Sequence, residues 1–322
     1  MQRAILAARA QRRALLVEAG VYMIGQPLIV PCDHPVTKNC GGEFKMRGEG
    51  AMQTVFVPGS NMTAMLTIQP GALTTDRENP FNMTQDGIEV SDLSFDGHGT
   101  ARKYNPASTA TAQYGIYAAA ITRSVFLRVH MKFMGSTGIF LGFGWCNRVE
   151  DCNLSENLGF GLHLKFAANN IDVTGCNIEG NTLGGVVADN GANILIQGCC
   201  IEGNGGPAIV ATNILDLSIR DNYYESNFDS RGTGTGGVAS GPALVPMTVV
   251  AGAQNYSLDL CADILLLGDN QLPRYNTTDW TDRRAIGAGN QNENVVIEGN
   301  FHRGASCPYY SGVLASSAVE LK

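Results

Sequence analysis

Residues 161–166 read GLHLKF, with a histidine and a lysine two positions apart. In an extended strand that spacing puts His163 and Lys165 on one face, with Leu162 and Leu164 on the other. Further along, the equivalent outward positions are Val187 and Asp189 in GVVAD, then Val210 and Thr212 in AIVAT. His163, Lys165 and Asp189 are therefore expected on one external face, within reach of each other across one strand spacing. Imidazole, amine and carboxylate together make a proton-transfer set. In a β-elimination, a lysine whose pKa is lowered by a neighbouring cation can remove the proton beside a substrate carboxylate. His163 would be that neighbour or the donor to the leaving oxygen, and Asp189 would orient one of the two. The competing reading is a solvated face with an ion pair, in which Asp189 raises the lysine pKa and Lys165 serves as a substrate-binding cation.

A threefold repeat positions these residues. Residues 170–181 read NIDVTGCNIEGN, 193–204 read NILIQGCCIEGN and 216–227 read DLSIRDNYYESN, offset by 23 each time. A period in the twenties marks a solenoid, whose units bury their apolar faces only by stacking. Inside each copy, apolar residues alternate with polar ones around a central Gly175, Gly198 or Asp221, which reads as strand, tight turn, strand. A third strand follows, as in 185–188 and 208–211. No segment here carries a helical period. Three short strands per turn of about 23 residues predict an all-β chain folded as a right-handed parallel β-helix.

Equivalent side chains on successive coils stack about 4.8 Å apart, so the register predicts rows. One row reads His130, Cys152, Cys176, Cys199, Asn222, Asn270, Asn300; another reads Asn157, Asn181, Asn204, Asn227. Asn tolerates the left-handed backbone of such bends, and stacked amides bond to one another. An outward row joins Ser155, Glu179, Glu202 and Glu225. Unit charges about 5 Å apart repel by roughly 1 kcal/mol in water. Calcium needs several oxygens at one point and a single file supplies few, so these glutamates are expected to splay, and no metal or cofactor is assigned.

The 322 residues suffice for one elongated domain with a sizeable core, and 39 glycines with 16% charged residues suit a turn-rich chain of buried strands. A net charge of −7 without a basic run argues against nucleic acid as a partner. No apolar run reaches the length of a membrane span. Among nine cysteines no CxxC pair suggests zinc, Cys152, Cys176 and Cys199 read as a buried thiol stack, and Cys32 with Cys40 could close a loop disulfide.

Residues 1–13, MQRAILAARAQRR, have helical propensity and are expected to cover the open end of the solenoid, where strand edges would otherwise invite pairing. Arg9 and Arg12 interrupt the apolar stretch a signal peptide would need. The Ala-rich helix at 4–10, VEAGVYMI at 17–24, FKMRGEG at 44–50 and GIEVSDLSFDGHG at 87–99 resemble the pectate-lyase-like superfamily of right-handed β-helices. The resemblance covers most of the chain. It implies a polysaccharide-binding groove along the third strand and the turn before it. It implies no single reaction, because that scaffold carries lyases, hydrolases, epimerases, phage tailspikes and proteins without catalysis. Gly97-His98-Gly99 matches a triplet of the polygalacturonase branch, but the Asn-Thr-Asp and paired Asp-Asp that accompany it there are missing, as are the calcium-dependent pectate lyase signatures. The Gly-rich, Asp-containing segment that usually precedes the helix in that family is also missing, as a truncated start would leave it.

Two insertions, 228–246 and 273–285, are expected at the turn before the same strand, with strands resuming at Met247-Thr248-Val249-Val250 and Ile286-Gly287-Ala288-Gly289, and an irregular tail is expected from Cys307 to 322. Loops on a rigid scaffold are the usual place for recognition. Asp229 and Arg231 in the first loop, and Tyr275, Trp280, Arg283 and Arg284 in the second, are candidate substrate-binding residues: a ring can stack on a sugar, and Arg makes bidentate contacts to a carboxylate. Two classes of function remain. One is an extracellular enzyme that cleaves or modifies an acidic polysaccharide, lyase ahead of hydrolase because no paired-carboxylate signature is evident. The other is a non-catalytic glycan-binding, surface or structural module.

Overall fold

Segments of three to six residues with period-two alternation are too short to bury apolar side chains alone, and they stack into sheets instead. The computed structural model describes residues 1–31, 40–69, 84–97, 111–227, 247–249, 254–256, 262–267, 292–303, 307–311 and 319–321. Among these, two sheets of 15 and 9 strands, here the major and the minor sheet, run along the solenoid, and every pairing within them is parallel. The minor sheet is built from strands such as Asn153–Ser155, Asn177–Glu179, Cys200–Glu202 and Tyr223–Glu225. Its inward row is Tyr22, Phe56, Phe95, Met131, Leu154, Ile178, Ile201, Tyr224 and His302. The first three rings stack at 5.3 and 5.2 Å. Each fully buried Leu or Ile in such a row contributes about 2 kcal/mol.

The major sheet is longer-stranded than three separate strands per coil would give. Ile139–Glu150, Phe160–Thr174, Gly184–Gln197 and Ile209–Arg220 each run the third strand of one coil into the first strand of the next. The bend inside each long strand is taken by a left-handed residue: Cys146, Asn170, Asn193 and Asp216, with φ of 57°, 54°, 51° and 57°. Short polar side chains adopt this conformation readily. They also form an exposed row that sequence reading missed, in which Asn193 donates to Asn170 at 2.8 Å and Asn294 to Asp216 at 2.8 Å.

The inner amide ladder is saturated. Each amide nitrogen donates to the carbonyl oxygen of the next Asn, from Asn157 to Asn181 at 2.8 Å, Asn181 to Asn204 at 3.0 Å and Asn204 to Asn227 at 2.9 Å. The second hydrogen goes to a backbone carbonyl of the preceding coil. The ladder ends on Asp263, which accepts from Asn227 at 2.8 Å and lies 2.9 Å from the Nδ1 of His302.

The cysteine row differs from expectation by one residue at its start. Val129, not His130, lies below Cys152, because His130 pairs with Asn153. Pairing here is at an offset of 23, so the step of 22 from His130 to Cys152 is one residue short; the step of 24 from Cys152 to Cys176 holds a bulge, since Leu141 pairs with Leu164 but Trp145 with Asn169. At the other end Asn300 bonds directly to Asn222 at 3.0 Å; Asn270 lies outside the described residues.

The strand after the first insertion is also corrected. Residues 247–249 pair antiparallel with 254–256, and it is Ala262–Leu267 that continues the major sheet against Ile209–Thr212. The later half of that same strand, Leu215–Arg220, pairs with Glu293–Glu298. The insertion holding 273–285 therefore interrupts what is a continuous strand on earlier coils, and the two insertions enter at different corners. Residues 286–289 lie outside the described residues. The segment from Cys307 is not irregular throughout, since Cys307–Ser311 and Val319–Leu321 add parallel strands to the major sheet.

Helix α1, Gln2–Ala10, buries Ile5 and packs against strands Leu15–Val17, Leu28–Val30 and Cys40–Gly48. The Gln2 side-chain amide donates to the carbonyl of Ile29 at 2.8 Å and accepts from its N–H at 2.7 Å, doing for that edge strand what a neighbouring strand would do. Among the described residues no helix is long and apolar enough to cross a membrane.

Candidate functional site

The register of the expected proton-transfer set is as the alternation implies. Lys165 pairs with Asp189 and then Thr212, while His163 pairs with Val187 and then Val210. The outward face they share is not solvated, however, which corrects the expectation that His163 and Asp189 face water. His163 is 8% exposed, Asp189 1% and Val187 1%, and Lys165 is half-buried. Rings of Phe140 and Phe160 stand beside the imidazole at 5.2 and 6.4 Å. Burial, with Lys165 nearby, pushes the His163 pKa down to about 3, so its ring is neutral throughout the physiological range. Asp189 accepts from the Asn190 amide at 2.5 Å.

Following the His163 row toward the N-terminus uncovers residues that sequence reading missed. Thr67, Tyr117 and Phe140 precede His163 in the same outward register. Tyr117 and Phe140 stack almost parallel, 4.7 Å apart and inclined by 5°, and Tyr114 packs edge-on against both at 5.3 and 5.9 Å. Tyr114 and Tyr117 are half-buried, so the patch is partly open where the rest of the row is closed. Burial and the neighbouring Tyr114 raise the Tyr117 pKa, leaving a neutral phenol as donor or acceptor. The signal was available, since GIYAAA, GIFLGF and GLHLKF are one motif in three successive coils.

On the minor sheet the glutamate row is as expected, Ser155 pairing with Glu179, then Glu202, then Glu225. With Glu156, Gly180, Gly203 and Ser226, these glutamates line a groove of about 620 Å³. Among the described residues no three His, Cys, Asp or Glu side chains gather closely enough to hold a metal ion. Asp229, Arg231, Tyr275, Trp280, Arg283 and Arg284 lie outside the described residues, as do His98, Gly99 and Cys32.

A family model described as a right-handed β-helix region matches residues 112–241, the span that holds the aromatic patch, His163, Lys165 and the glutamate row. The chain folds as a parallel β-helix, and residues 112–241 match the right-handed type. Among solved structures, this β-helix is similar to the ORF18 protein of Geobacillus virus E2, with a TM-score of 0.53 and 12% identity over 92% of this chain and 51% of that one. The β-helix thus spans about half the length of that viral protein. It is also similar to the A-module of the mannuronan C-5 epimerase AlgE4 of Azotobacter vinelandii, with a TM-score of 0.40 and 15% identity over 99% of this chain and 94% of that one. The tailspike gp42 of Acinetobacter phage vb_AbaP_AS12 gives a TM-score of 0.44 and 10% identity over 97% and 62%. No curated protein sequence matches the β-helix.

Proposed function

We propose that this β-helix is an extracellular carbohydrate-active protein that binds a polysaccharide along the outer face of its major sheet, at the patch formed by Tyr114, Tyr117 and Phe140. The observation that carries the reading is the Tyr117–Phe140 stack, two near-parallel rings on successive coils with Tyr117 partly open. A pyranose lays its apolar face on such a ring, and the phenol hydroxyls hydrogen-bond to its rim. Lys165, two coils on and half-buried, adds a cation that suits an acidic sugar. The family resemblance and the carbohydrate-acting names among the fold neighbours agree with this class of ligand.

For the reaction, burial argues against His163 as a proton donor, since a ring with a pKa of about 3 holds no proton to give near neutrality. Binding is the first half of the proposal. Cleavage by elimination, with Lys165 pairing the substrate carboxylate, is the second half. We place helix α1 as the cap of a solenoid with a coil of about 23 residues, in a single domain.

A panel of uronate-containing and neutral polysaccharides tests both halves. Retarded migration of the protein in gels containing an acidic polysaccharide is the expected result, and Tyr117→Ala weakens it about tenfold without unfolding the chain. Ultraviolet absorbance from an unsaturated product would add lyase action. Equal migration of wild type and Tyr117→Ala on every polysaccharide would sink the binding site.

A further inference from the structure

The last described strand of the minor sheet, Phe301–Arg303, leaves a large ring uncovered. Phe301 is 59% exposed and stacks on Tyr223 of the preceding coil, 5.6 Å between centroids and inclined by 8°. Both rings are on the outward face, since Phe301 pairs with Tyr223 and Tyr224 with the inward His302. Among the described residues Phe301 is the one aromatic ring that is mostly exposed, and the residues beside it decide what fits.

The surroundings are acidic. The Tyr223 hydroxyl donates to Glu225, whose other oxygen meets the Arg303 guanidinium at 3.3 Å. Beyond that neutralised pair, Glu202, Glu179 and Glu156 continue along the groove of about 620 Å³ with no cation among its lining residues. A ring platform attracts an ammonium group through its quadrupole. Carboxylates at successive strands supply the counter-charge at a step of about 4.8 Å. A uronate chain, by contrast, would meet the same row as repulsion.

We propose that the outer face of the minor sheet is a second carbohydrate site, in which an amino-sugar oligosaccharide stacks on Phe301 over Tyr223 and runs its ammonium groups along Glu202, Glu179 and Glu156. This site goes beyond the acidic-polysaccharide site of the major sheet and shares no residue with it. Two surfaces of opposite preference on one solenoid would let the chain hold an acidic and a basic glycan together. Cys200 lies in the Tyr223 row, next to the glutamates, so its rate of alkylation reports on occupancy of the groove.

The test is titration calorimetry of the full chain with a fully deacetylated glucosamine oligomer, its N-acetylated counterpart of equal length, and the polyamine spermine, at slightly acidic pH and low salt. The glucosamine oligomer is expected to bind at least about tenfold more tightly than the N-acetylated one, and Phe301→Ala to weaken it at least about fivefold. Spermine, which has charge but no ring to stack, is expected to bind more weakly and to ignore Phe301→Ala. Peptide mapping should show alkylation of Cys200 slowed by the glucosamine oligomer. Tyr117→Ala should leave this binding unchanged, which separates it from the site on the major sheet. Absence of glucosamine-oligomer binding overturns the proposal. So does equal binding of spermine and the oligomer with no response to Phe301→Ala, because the groove would then be a charge sink without a platform.

Discussion

On the major sheet, successive coils place Tyr117, Phe140, His163, Val187, Val210 and Leu265 in one outward row. On the minor sheet they place Lys132, Ser155, Glu179, Glu202, Glu225 and Arg303 in another. Both rows point away from the solenoid interior, yet Phe140, His163, Val187, Val210 and Leu265 are buried, while the glutamates are half-exposed and Arg303 is exposed. Period-two alternation thus assigns a side chain to the inside or outside of a coil and says nothing of whether the outside meets water. One outward face is buried and the other is open, and the composition of each row records the difference. The major-sheet row is apolar except at its single imidazole, and the minor-sheet row is charged.

The largest expected effect comes from exchanging the character of the two rows. Val187→Asp puts an unpaired carboxylate where 1% of the side chain is exposed and should cost at least about 3 kcal/mol in unfolding free energy. Glu202→Ala, at the matching height of the minor sheet, should change it by less than about 0.5 kcal/mol, with relief of repulsion from Glu179 and Glu225 working in its favour. Urea midpoints of both variants read the comparison directly. Equal losses would mean that the covered and open faces do not differ as described.

How much of this was legible follows from where the repeat is regular. Offsets of 23 carry Asn181, Asn204, Asn227 and Glu179, Glu202, Glu225 from coil to coil, and the step from Asn157 to Asn181 is 24 because the bulge adds one residue there. His130 was misplaced because its step to Cys152 is 22, whereas the strands there pair at 23. Counting failed after Asn227, where the strand Ala262–Leu267 had to be told apart from Met247–Val249 on apolar pattern alone. Burial of the major-sheet outward row was the least legible feature, since alternation alone does not report it. Its one local hint was the string of outward Val and Leu residues beyond His163.

A sharper measure of the covered face is its pH dependence. His163 has its pKa lowered to about 3 by burial and by Lys165, against about 6.5 for an unfolded histidine. Between those values the unfolded chain binds a proton that the folded chain refuses. Its contribution to stability is therefore fully present above about pH 6.5 and is lost as pH falls toward about 3, at a slope of up to about 1.4 kcal/mol per pH unit. Comparing urea midpoints of wild type and His163→Gln at several pH values across this window should show a shallower decline in the variant by about one proton. Parallel curves would place His163 in water and restore the solvated reading of that face.

The smallest expected effect sharpens the open face. Cys199 and Cys200 are neighbours in sequence on opposite sides of the minor-sheet wall. Cys199 lies in the inner thiol row, where a hydrogen bond to Cys176 and burial raise its pKa, and Cys176 is raised in turn by its contact with Cys152. These three should stay unlabelled by a thiol reagent until the chain unfolds. The Cys200 pKa is pushed up to about 11 by partial burial first, and then by the carboxylates of Glu202, Glu179 and Glu225. Well below that value the thiolate fraction grows tenfold per unit by which the pKa falls, so removing one neighbouring charge acts directly on the labelling rate. Glu202→Gln should lower the pKa by a fraction of a unit and speed alkylation of Cys200 at mildly alkaline pH about threefold, leaving Cys199 as silent as before. High salt should shrink the difference between variant and wild type, because the carboxylates act through partly solvated space. An unchanged Cys200 rate in Glu202→Gln would mean that burial alone sets its reactivity. The row of glutamates would then exert no field on the residues beside it.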